Sequence, residues 1–276
     1  MTTTFLSWNL NRKSLQHLVA SLSRERNVDV LILLECDIAV PDLLQSLNPP
    51  GARQIFHYAP NLAETPNETI KIFTLFSTEF LRPLHEENRL TVRHLKLPLR
   101  IDIILAALHF RSKLHWSDNS QSFECTQLIR TIATVESEVG HSRTVLVGDF
   151  NMNPFAEGVV AAAGLNATMV RRQALKGSRT VQGKQYPFFY NPMWEHFGSA
   201  DQKPAGTYYY TSDEHINYYW NMFDQVLVRP QLVEQLPKDG VEIITRAGSV
   251  SLLTPSGWPN RSVASDHLPL LFTLGL

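Results

Sequence analysis

The chain has 276 residues, of which 43% are hydrophobic and 18% charged; this is enough apolar material for a large core and excludes a disordered chain. Its 25 basic and 26 acidic residues leave a formal net charge of −1, which excludes the overall cationic field of proteins that coat DNA without specificity. Two cysteines, Cys36 and Cys125, are too few for a disulfide framework or a multi-cysteine zinc site, and free thiols favour a reducing compartment.

The N-terminal residues do not have the pattern of a signal peptide, because no positive charge precedes the short apolar stretch and Trp8, Asn9 and Asn11 interrupt it. Apolar runs such as residues 103–108 are too short to span a bilayer. We therefore expect a cytoplasmic protein without membrane insertion.

The first elements are predicted to be a strand, a helix and a strand. Residues 5–10 are partly apolar, residues 15–22 carry aliphatic side chains at helical spacing, and residues 28–34 are nearly continuous aliphatic, as in a strand buried on both faces. Another strand is predicted over 70–76. Period-two alternation over 95–103, followed by an apolar run over 104–108, predicts adjacent strands without a helix between them.

The second half of the chain begins with a helix predicted over 125–139, where apolar residues recur at three- and four-residue steps and Gly140 is placed to end it. A strand is predicted from Thr144, and Asn153 with Pro154 has the pattern of an N-cap and first turn of a short helix that ends at Gly164. Residues 168–220 mix aromatic and basic residues with Gly and Pro, which predicts long surface loops. Strands return over 223–228 and 268–274.

This order of elements predicts one domain over residues 1–276. Strand-rich halves with helices outside them indicate an α/β fold, a four-layered sandwich of two packed β-sheets flanked by helices. No low-complexity linker and no repeat of solenoid period divides the sequence.

Polar side chains lie at the ends of the best strands. A carboxylate beside a buried apolar run is costly unless it is paired or bound to a cation, so several of them predict convergence on one metal-bearing pocket. Each of these residues taken singly has a structural explanation, as a cap, a turn residue or a hydrogen-bonded core histidine. Their occurrence together favours a metal-bearing site. Its members are Asn9, Glu35, His109, Asp149, Asn151, Asp224, Asp266 and His267.

The motifs that carry these residues are SWNLN, VLILLEC, ALHFRSK, GDFN, FDQVL and SDHLP. In this order they resemble the endonuclease/exonuclease/phosphatase superfamily, which includes DNase I, abasic-site endonucleases, sphingomyelinases and inositol polyphosphate 5-phosphatases. The resemblance extends from Asn9 to His267 and implies the same four-layered sandwich. Thr207 and Tyr208 in AGTYYY are similar to the Thr-aromatic segment of many members.

The chain departs from many members of the superfamily at three positions. Leu34 stands where they have Gln, and Met222 and Phe223 stand where they have Arg-Ile. These departures concern the positioning of substrate more than the core chemistry.

The resemblance implies a divalent-metal site. Glu35 is the principal expected ligand, with Asn9 beside it and Asp266 acting directly or through a bound water. Hard oxygen ligands favour Mg²⁺ or Mn²⁺ over zinc.

Hydrolysis of a phosphodiester requires charge neutralisation, activation of water and protonation of the leaving oxygen. By resemblance, Asp149 orients or deprotonates the water, Asn151 donates to the developing charge and His267 contacts the phosphate. Asp224 orients His267 and favours its charged form, and His109 is the candidate general acid.

Substrate contacts are predicted for a basic segment without acidic residues, for Arg111 and for Tyr208. Such a segment contacts consecutive phosphates or forms a solvated surface loop, and both readings carry nearly equal weight. The aromatic residues over 186–220 either stack on unpaired bases or pack a long loop onto the sandwich, and we favour packing for most of them. The segment contains Arg171, Arg172, Lys176, Arg179 and Lys184.

The leading functional prediction is a metal-dependent phosphodiesterase that acts on nucleic acid, with DNA favoured over RNA. The second is a phosphatase or phosphodiesterase for small phosphorylated molecules or phospholipid headgroups. The third is a binding module without turnover, against which stands the cost of holding so many carboxylates at strand ends.

Overall fold

The computed structural model describes residues 2–62, 69–112, 116–198, 204–213 and 215–276. Within these ranges the strands are β1 (Thr2–Asn9), β2 (Val30–Leu34), β3 (His57–Ala59), β4 (Lys71–Thr74), β5 (Leu81–Glu87), β6 (Leu90–Leu95), β7 (Ile103–His109), β8 (Thr144–Asp149), β9 (Ala167–Thr168), β10 (Ser178–Val181), β11 (Lys184–Pro187), β12 (Phe189–Tyr190), β13 (Tyr208–Tyr209), β14 (Trp220–Asn221), β15 (Asp224–Val228), β16 (Val241–Ile243), β17 (Arg246–Ala247), β18 (Val250–Ser251) and β19 (Leu270–Gly275). The α-helices are α1 (Gln16–Glu25), α2 (Val40–Leu47), α3 (Asp118–Val139), α4 (Glu157–Val160) and α5 (Arg171–Ala174), with 3₁₀ turns at Thr78–Phe80, Pro192–His196 and Pro230–Leu232.

Two large sheets form from these strands. In the described residues the first has the order β16-β19-β1-β2-β4-β3, and the second β5-β6-β7-β8-β15-β12-β9. The pairs β1–β2 and β7–β8 are parallel, whereas β19 is antiparallel to β1 and β15 is antiparallel to β8. Short ribbons are formed by β10–β11, β13–β14 and β17–β18.

The core is divided among three layers of apolar contact. Alternate residues of both sheets, such as Ile32 and Val147, pack between the sheets. On the outer faces, Leu31 of the first sheet packs on the side of α1 and α2, and Leu146 of the second sheet packs on the side of α3, which contributes Ile132. The predicted four-layered sandwich is confirmed.

Helix α3 covers the predicted segment and begins earlier, at Asp118. The hydroxyl of Ser117 accepts a hydrogen bond from the backbone N–H of Ser120 at the N-terminus. Gly140 ends the helix in a left-handed conformation, with a φ of 85°, as its position predicted. None of the helices within the described ranges has the length and hydrophobicity of a membrane span.

The alternating pattern over 95–103 is not one strand. Strand β6 ends at Leu95 and β7 begins at Ile103. Leu99 lies in the turn between them, fully exposed and with a positive φ of 58°, so residues 96–102 are not a strand. The prediction of adjacent strands without a helix between them is confirmed, because β6 pairs with β7. The region 168–220 is also more ordered than long loops, since it contains β9 to β14 and α5.

Asn153 is not the N-cap of a helix, because α4 begins at Glu157 with Ala156 at its N-cap. The Asn153 side chain is used elsewhere: it donates to Oδ1 of Asn221 at 2.9 Å and accepts from the backbone N–H of Met222 at 2.8 Å. It thus joins the loop after β8 to the segment before β15.

Gly148 allows β8 to lie close to β7 directly before Asp149. Its φ is 138°, and a Cβ added there would lie 2.0 Å from the backbone oxygen of Leu108. A side chain at this position would therefore push the two parallel strands apart beside the polar end of the sheet.

We predict that Gly148→Ala lowers the free energy of unfolding by about 2–4 kcal/mol, because it combines backbone strain with a clash between strands. Gly177→Ala is the control, since Gly177 also has a positive φ (86°) but no atom within 4 Å of an added Cβ. That variant should lose only about 1 kcal/mol. Denaturant unfolding checks both values, and equal losses would contradict the role of the clash.

Candidate active site

The strand order brings the predicted polar residues to one end of the sandwich. Asn9 ends β1 and Glu35 follows the parallel strand β2, while His109 and Asp149 are paired at the ends of the parallel strands β7 and β8. Asp224, at the start of the antiparallel strand β15, lies opposite Asp149. The segment before β19 then supplies Asp266 and His267.

His267 lies between two buried carboxylates. Its Nδ1 is 2.7 Å from Oδ2 of Asp224, and its Nε2 is 3.8 Å from Oδ2 of Asp149. Burial alone would lower the pKa of His267, but the charges of Asp224 and Asp149 outweigh burial and raise this pKa to about 10. His267 is therefore an imidazolium at neutral pH.

Three residues that were not predicted as site residues hold the backbones of His267 and Asp224 in place. The indole N–H of Trp8 donates to the backbone oxygen of His267 (2.9 Å), and the hydroxyl of Ser265 accepts from the backbone N–H of His267 (3.2 Å). The hydroxyl of Thr207 accepts from the backbone N–H of Asp224 (3.0 Å). Trp8, Ser265 and Thr207 lie in the motifs SWNLN, SDHLP and AGTYYY. Their position next to predicted site residues was the one feature of the sequence that could have identified them.

Asp149 is buried and held by hydrogen bonds on both oxygens. Oδ2 accepts from the Asn9 amide at 3.0 Å, and Oδ1 accepts from the backbone N–H of Asn151 at 2.8 Å. The side-chain amide of Asn151 donates to the backbone oxygen of Phe110. Burial raises the pKa of Asp149, against the opposing effect of the His267 charge.

Glu35 and His109 form the more open half of the site. Nε2 of His109 lies 3.1 Å from Oε1 of Glu35 and 3.8 Å from Oδ2 of Asp149. The hydrogen bond from His109 is the largest effect on Glu35 and lowers its pKa to about 2. The Glu35 side chain is 24% exposed, and its backbone has a left-handed φ of 43°.

Asn9 does not present an oxygen to this cluster. Its Oδ1 accepts from the backbone N–H of Asn11 at 2.9 Å, so its amide nitrogen faces Glu35 and Asp149. The expectation that Asn9 is a direct metal ligand does not agree with this orientation, because an N–H donor cannot bind a cation. Asn9 instead holds the two carboxylates.

The oxygen donors at this end fit a hard divalent cation. Glu35 is partly open to solvent, and Asp266 is half-buried. The charge of Asp266 helps to raise the pKa values of Tyr208 and His267, which lie near it. Mg²⁺ is commonly held by one or two carboxylates and retains several waters. Glu35, and Asp266 directly or through water, match that requirement.

A second histidine-carboxylate cluster lies at the start of β7, away from His109. In the described residues, His94, Asp102 and His141 place ligand atoms within 4.8 Å of one another. However, Nδ1 of His141 accepts from the backbone N–H of Arg143 (3.1 Å), so the neutral ring carries its proton on Nε2 and donates to Asp102. Arg143 also pairs with Asp102. We interpret this cluster as a hydrogen-bonded network between β6, β7 and β8, because both features disfavour a cation.

Arg89 is a site residue that sequence reasoning missed. From the turn between β5 and β6, its Nη1 lies 3.4 Å from Nδ1 and 3.3 Å from the backbone oxygen of His109. A guanidinium only donates, so Nδ1 accepts and the neutral His109 ring carries its proton on Nε2, toward Glu35 and Asp149. No motif marks Arg89, because its contact depends on strand pairing.

Two predicted substrate residues lie at the same end. Arg111 is exposed, follows β7 and stacks on Trp116 at 4.6 Å. Tyr208 pairs with His267 in an isolated bridge, and their rings lie 4.7 Å apart. The guanidinium of Arg261 lies 5.6 Å from the centre of the Tyr208 ring.

The predicted basic segment is not at this end. Tyr190 of β12 pairs with Val228, at the end of β15 opposite Asp224. The Arg171 guanidinium lies against this Tyr190 ring at 5.8 Å and donates to the backbone oxygens of Leu236 (2.9 Å) and Val233. Arg171 is therefore a structural residue at the far end of the second sheet.

Arg179 is likewise engaged by the protein. It donates to Oδ1 of Asn166 at 2.6 Å and to the backbone oxygen of Val160 at 3.1 Å. Arg172, Lys176 and Lys184 are exposed on the same segment. The structure thus brings together the strand-end residues, Arg111 and Tyr208, and separates the basic segment from them.

The sequence matches the model of the Endonuclease/Exonuclease/phosphatase family over residues 6–267. The chain belongs to this family, whose members are typically hydrolases of phosphoester bonds and generally depend on divalent metals. A comparison with curated protein sequences finds no significant match.

Solved structures share the fold at low sequence identity. A family protein from Bacteroides thetaiotaomicron is similar with a TM-score of 0.60 and 13% identity, covering 99% of this chain and 98% of that one. TDP2 from D. rerio, complexed with a single-strand DNA product, has a TM-score of 0.54 and 15% identity over 100% and 99% of the two chains. The endonuclease domain of TRAS1, a telomere-specific non-LTR retrotransposon, has a TM-score of 0.51 and 14% identity over 99% of each.

We predict that Asp224→Asn lowers the pKa of His267 by about 1–3, because the buried imidazolium loses its nearest counter-charge. In the metal-free wild type, NMR titration should show His267 protonated through pH 8, whereas the variant should titrate below that. The pKa of His267 is about 10 in the folded protein and near 6.5 in the unfolded chain. The Asp224–His267 pair therefore stabilises the fold fully below about pH 6.5, and this stabilisation is lost as the pH rises toward 10. Asp239→Asn, at an exposed position, is the control. An unchanged His267 titration in the Asp224 variant would contradict the pairing.

Proposed function

We propose that the protein is a divalent-cation-dependent nuclease that hydrolyses phosphodiester bonds of DNA. The observation that carries the proposal is the buried Asp224–His267–Asp149 arrangement, open on one side to Glu35 and His109. It combines a fixed cation, a buried carboxylate and a protonated donor within contact distance, which is the set that phosphodiester hydrolysis requires.

Each residue has a role that its contacts support. His267, protonated at neutral pH, binds a non-bridging phosphate oxygen, and Asp224 holds its ring. Asp149, whose pKa is raised by burial, orients and deprotonates the attacking water. Asn151 keeps the Asp149 carboxylate in place through its backbone N–H. One N–H of its side-chain amide donates to the backbone oxygen of Phe110, and the second N–H is the proposed donor to the reacting phosphate.

His109 is the proposed general acid. The ring donates as the imidazolium and is left neutral, and its Nε2 lies at the carboxylates of Glu35 and Asp149, where the leaving oxygen would be protonated. Glu35, with Asp266 directly or through water, would hold Mg²⁺ or Mn²⁺. When bound, that ion neutralises phosphate charge as a Lewis acid.

The polyanionic nature of the substrate is supported by exposed cations around this end of the sandwich. Arg12 lies 3.9 Å from Glu35 with its side chain 67% exposed, and Arg111 and Arg261 are exposed beside His109 and Tyr208. In a chain with a net charge of −1, this local concentration favours a substrate with several phosphates. The similar fold of TDP2, which was solved with a single-strand DNA product, and of the TRAS1 endonuclease domain supports the choice of nucleic acid.

We expect Asp149→Asn and His267→Ala each to reduce turnover of DNA at least ~100-fold, the usual scale for a positioned acid-base or charge-stabilising group. The assay panel contains single-stranded and duplex DNA, RNA and inositol phosphates with Mg²⁺ or Mn²⁺. Arg172→Ala, at the exposed far end, should retain wild-type turnover. Turnover of inositol phosphates without cleavage of any nucleic acid would shift the function to small phosphoesters.

Chelation with EDTA should abolish turnover, and added Mg²⁺ or Mn²⁺ should restore it. Circular dichroism should show the fold intact throughout, because a core of this size does not depend on a metal. Full activity after exhaustive chelation would contradict the metal-dependent mechanism.

A further inference from the structure

Two aromatic rings, one half-buried and one exposed, form a stacked pair beside the candidate active site. The rings of Tyr209 and Trp258 lie 4.7 Å apart at an interplanar angle of 8°, and Trp258 is 45% exposed. We call this pair the aromatic shelf. Its residues come from two segments distant in sequence, so the stacking is a tertiary contact.

Both halves of the aromatic shelf are held by their own backbones. Tyr209 is paired with Trp220 in the β13–β14 ribbon, and their rings make an edge contact at 5.4 Å. Trp258 lies in a tight turn in which its N–H donates to the Thr254 hydroxyl and its oxygen accepts from the Thr254 N–H at 2.7 Å. Since the rings are already ordered, a planar ligand would lose little protein entropy on binding.

The aromatic shelf adjoins the proposed phosphate site. Tyr208, the residue before Tyr209, contacts the His267 ring on the opposite face of the β13–β14 ribbon. Arg261 joins the two faces, because it donates to the backbone oxygen of Tyr209 at 3.0 Å and lies over the ring of Tyr208. The aromatic shelf, the exposed guanidinium of Arg261 and the imidazolium of His267 are therefore neighbours, with Arg261 in the middle.

We propose that the aromatic shelf binds an unpaired nucleobase of the nucleotide next to the scissile phosphate, and that Arg261 contacts the adjoining phosphate. The inference rests on the proposed nuclease function and specifies its substrate as single-stranded or frayed DNA. A base within a duplex is already stacked on both faces, whereas an unpaired base gains about 1–3 kcal/mol by stacking on an aromatic side chain.

The test measures affinity in an Asp149→Asn background, which prevents cleavage. An oligodeoxynucleotide is compared with a sugar-phosphate oligomer of equal length that carries abasic residues. Adding Trp258→Ala should weaken binding of the oligodeoxynucleotide about 5- to 100-fold and leave the abasic oligomer unchanged. Trp258→Phe should restore most of the affinity. Arg261→Ala should weaken both oligomers alike.

The matched control is Phe123→Ala, which removes another exposed aromatic ring (62% exposed) from helix α3 and should change neither affinity. Equal losses for both oligomers, or no loss with Trp258→Ala, would overturn the inference while cleavage by wild type still supports the nuclease. The nuclease proposal fails separately if wild type cleaves no nucleic acid. In that case, the test compares tryptophan fluorescence in wild type and Trp258→Ala, because the chain has five tryptophans. Quenching by dTMP and not by deoxyribose 5-phosphate that is lost in Trp258→Ala still supports a base site, and quenching that is equal for both compounds, absent, or unchanged in Trp258→Ala overturns it.

Discussion

The imidazolium of His267 is the interaction on which the rest of the site depends. Strand pairing places Asp149 directly opposite Asp224, and both are buried. Two like charges in such a position are destabilising. His267 compensates both carboxylates, at 2.7 Å and 3.8 Å, and is itself held through its backbone by Trp8 and Ser265. The pairing of β8 with β15 and the chemistry of the site are therefore one electrostatic arrangement.

This arrangement also links the two sheets. Asp149 and Asp224 belong to the second sheet, whereas His267 precedes β19 of the first sheet and Asn9 ends β1. Hydrogen bonds across the open end of the sandwich supplement the apolar contacts between the sheets. A polar network of this kind stabilises only when its members are satisfied together, so removal of one member affects the others.

The sequence was sufficient for the four layers and for the end at which the polar residues meet. Long aliphatic runs identify strands, and a carboxylate that ends such a run has few alternatives to pairing or a cation. The orientation of Asn9 was not predictable, because its amide is turned by the backbone N–H of Asn11. Arg171 was misassigned for a similar reason: charge in the sequence indicated phosphate, but its acceptors, the carbonyls of Val233 and Leu236, are more than sixty residues away. Side-chain direction depends on such distant partners, and composition does not record them.

At Glu35 the requirements of the site and of stability conflict, because the site uses a carboxylate at a position where the backbone is left-handed. A φ of 43° is costly for a residue with a long side chain, whereas Gly and Asn adopt this region readily. Random mutagenesis selected only for thermal resistance should therefore enrich replacements of Glu35 by Gly or Asn, since these relieve strain while discarding the carboxylate. Structure-based stabilisation that replaces residues with a strained backbone would make the same exchange and would produce a more stable but inactive protein.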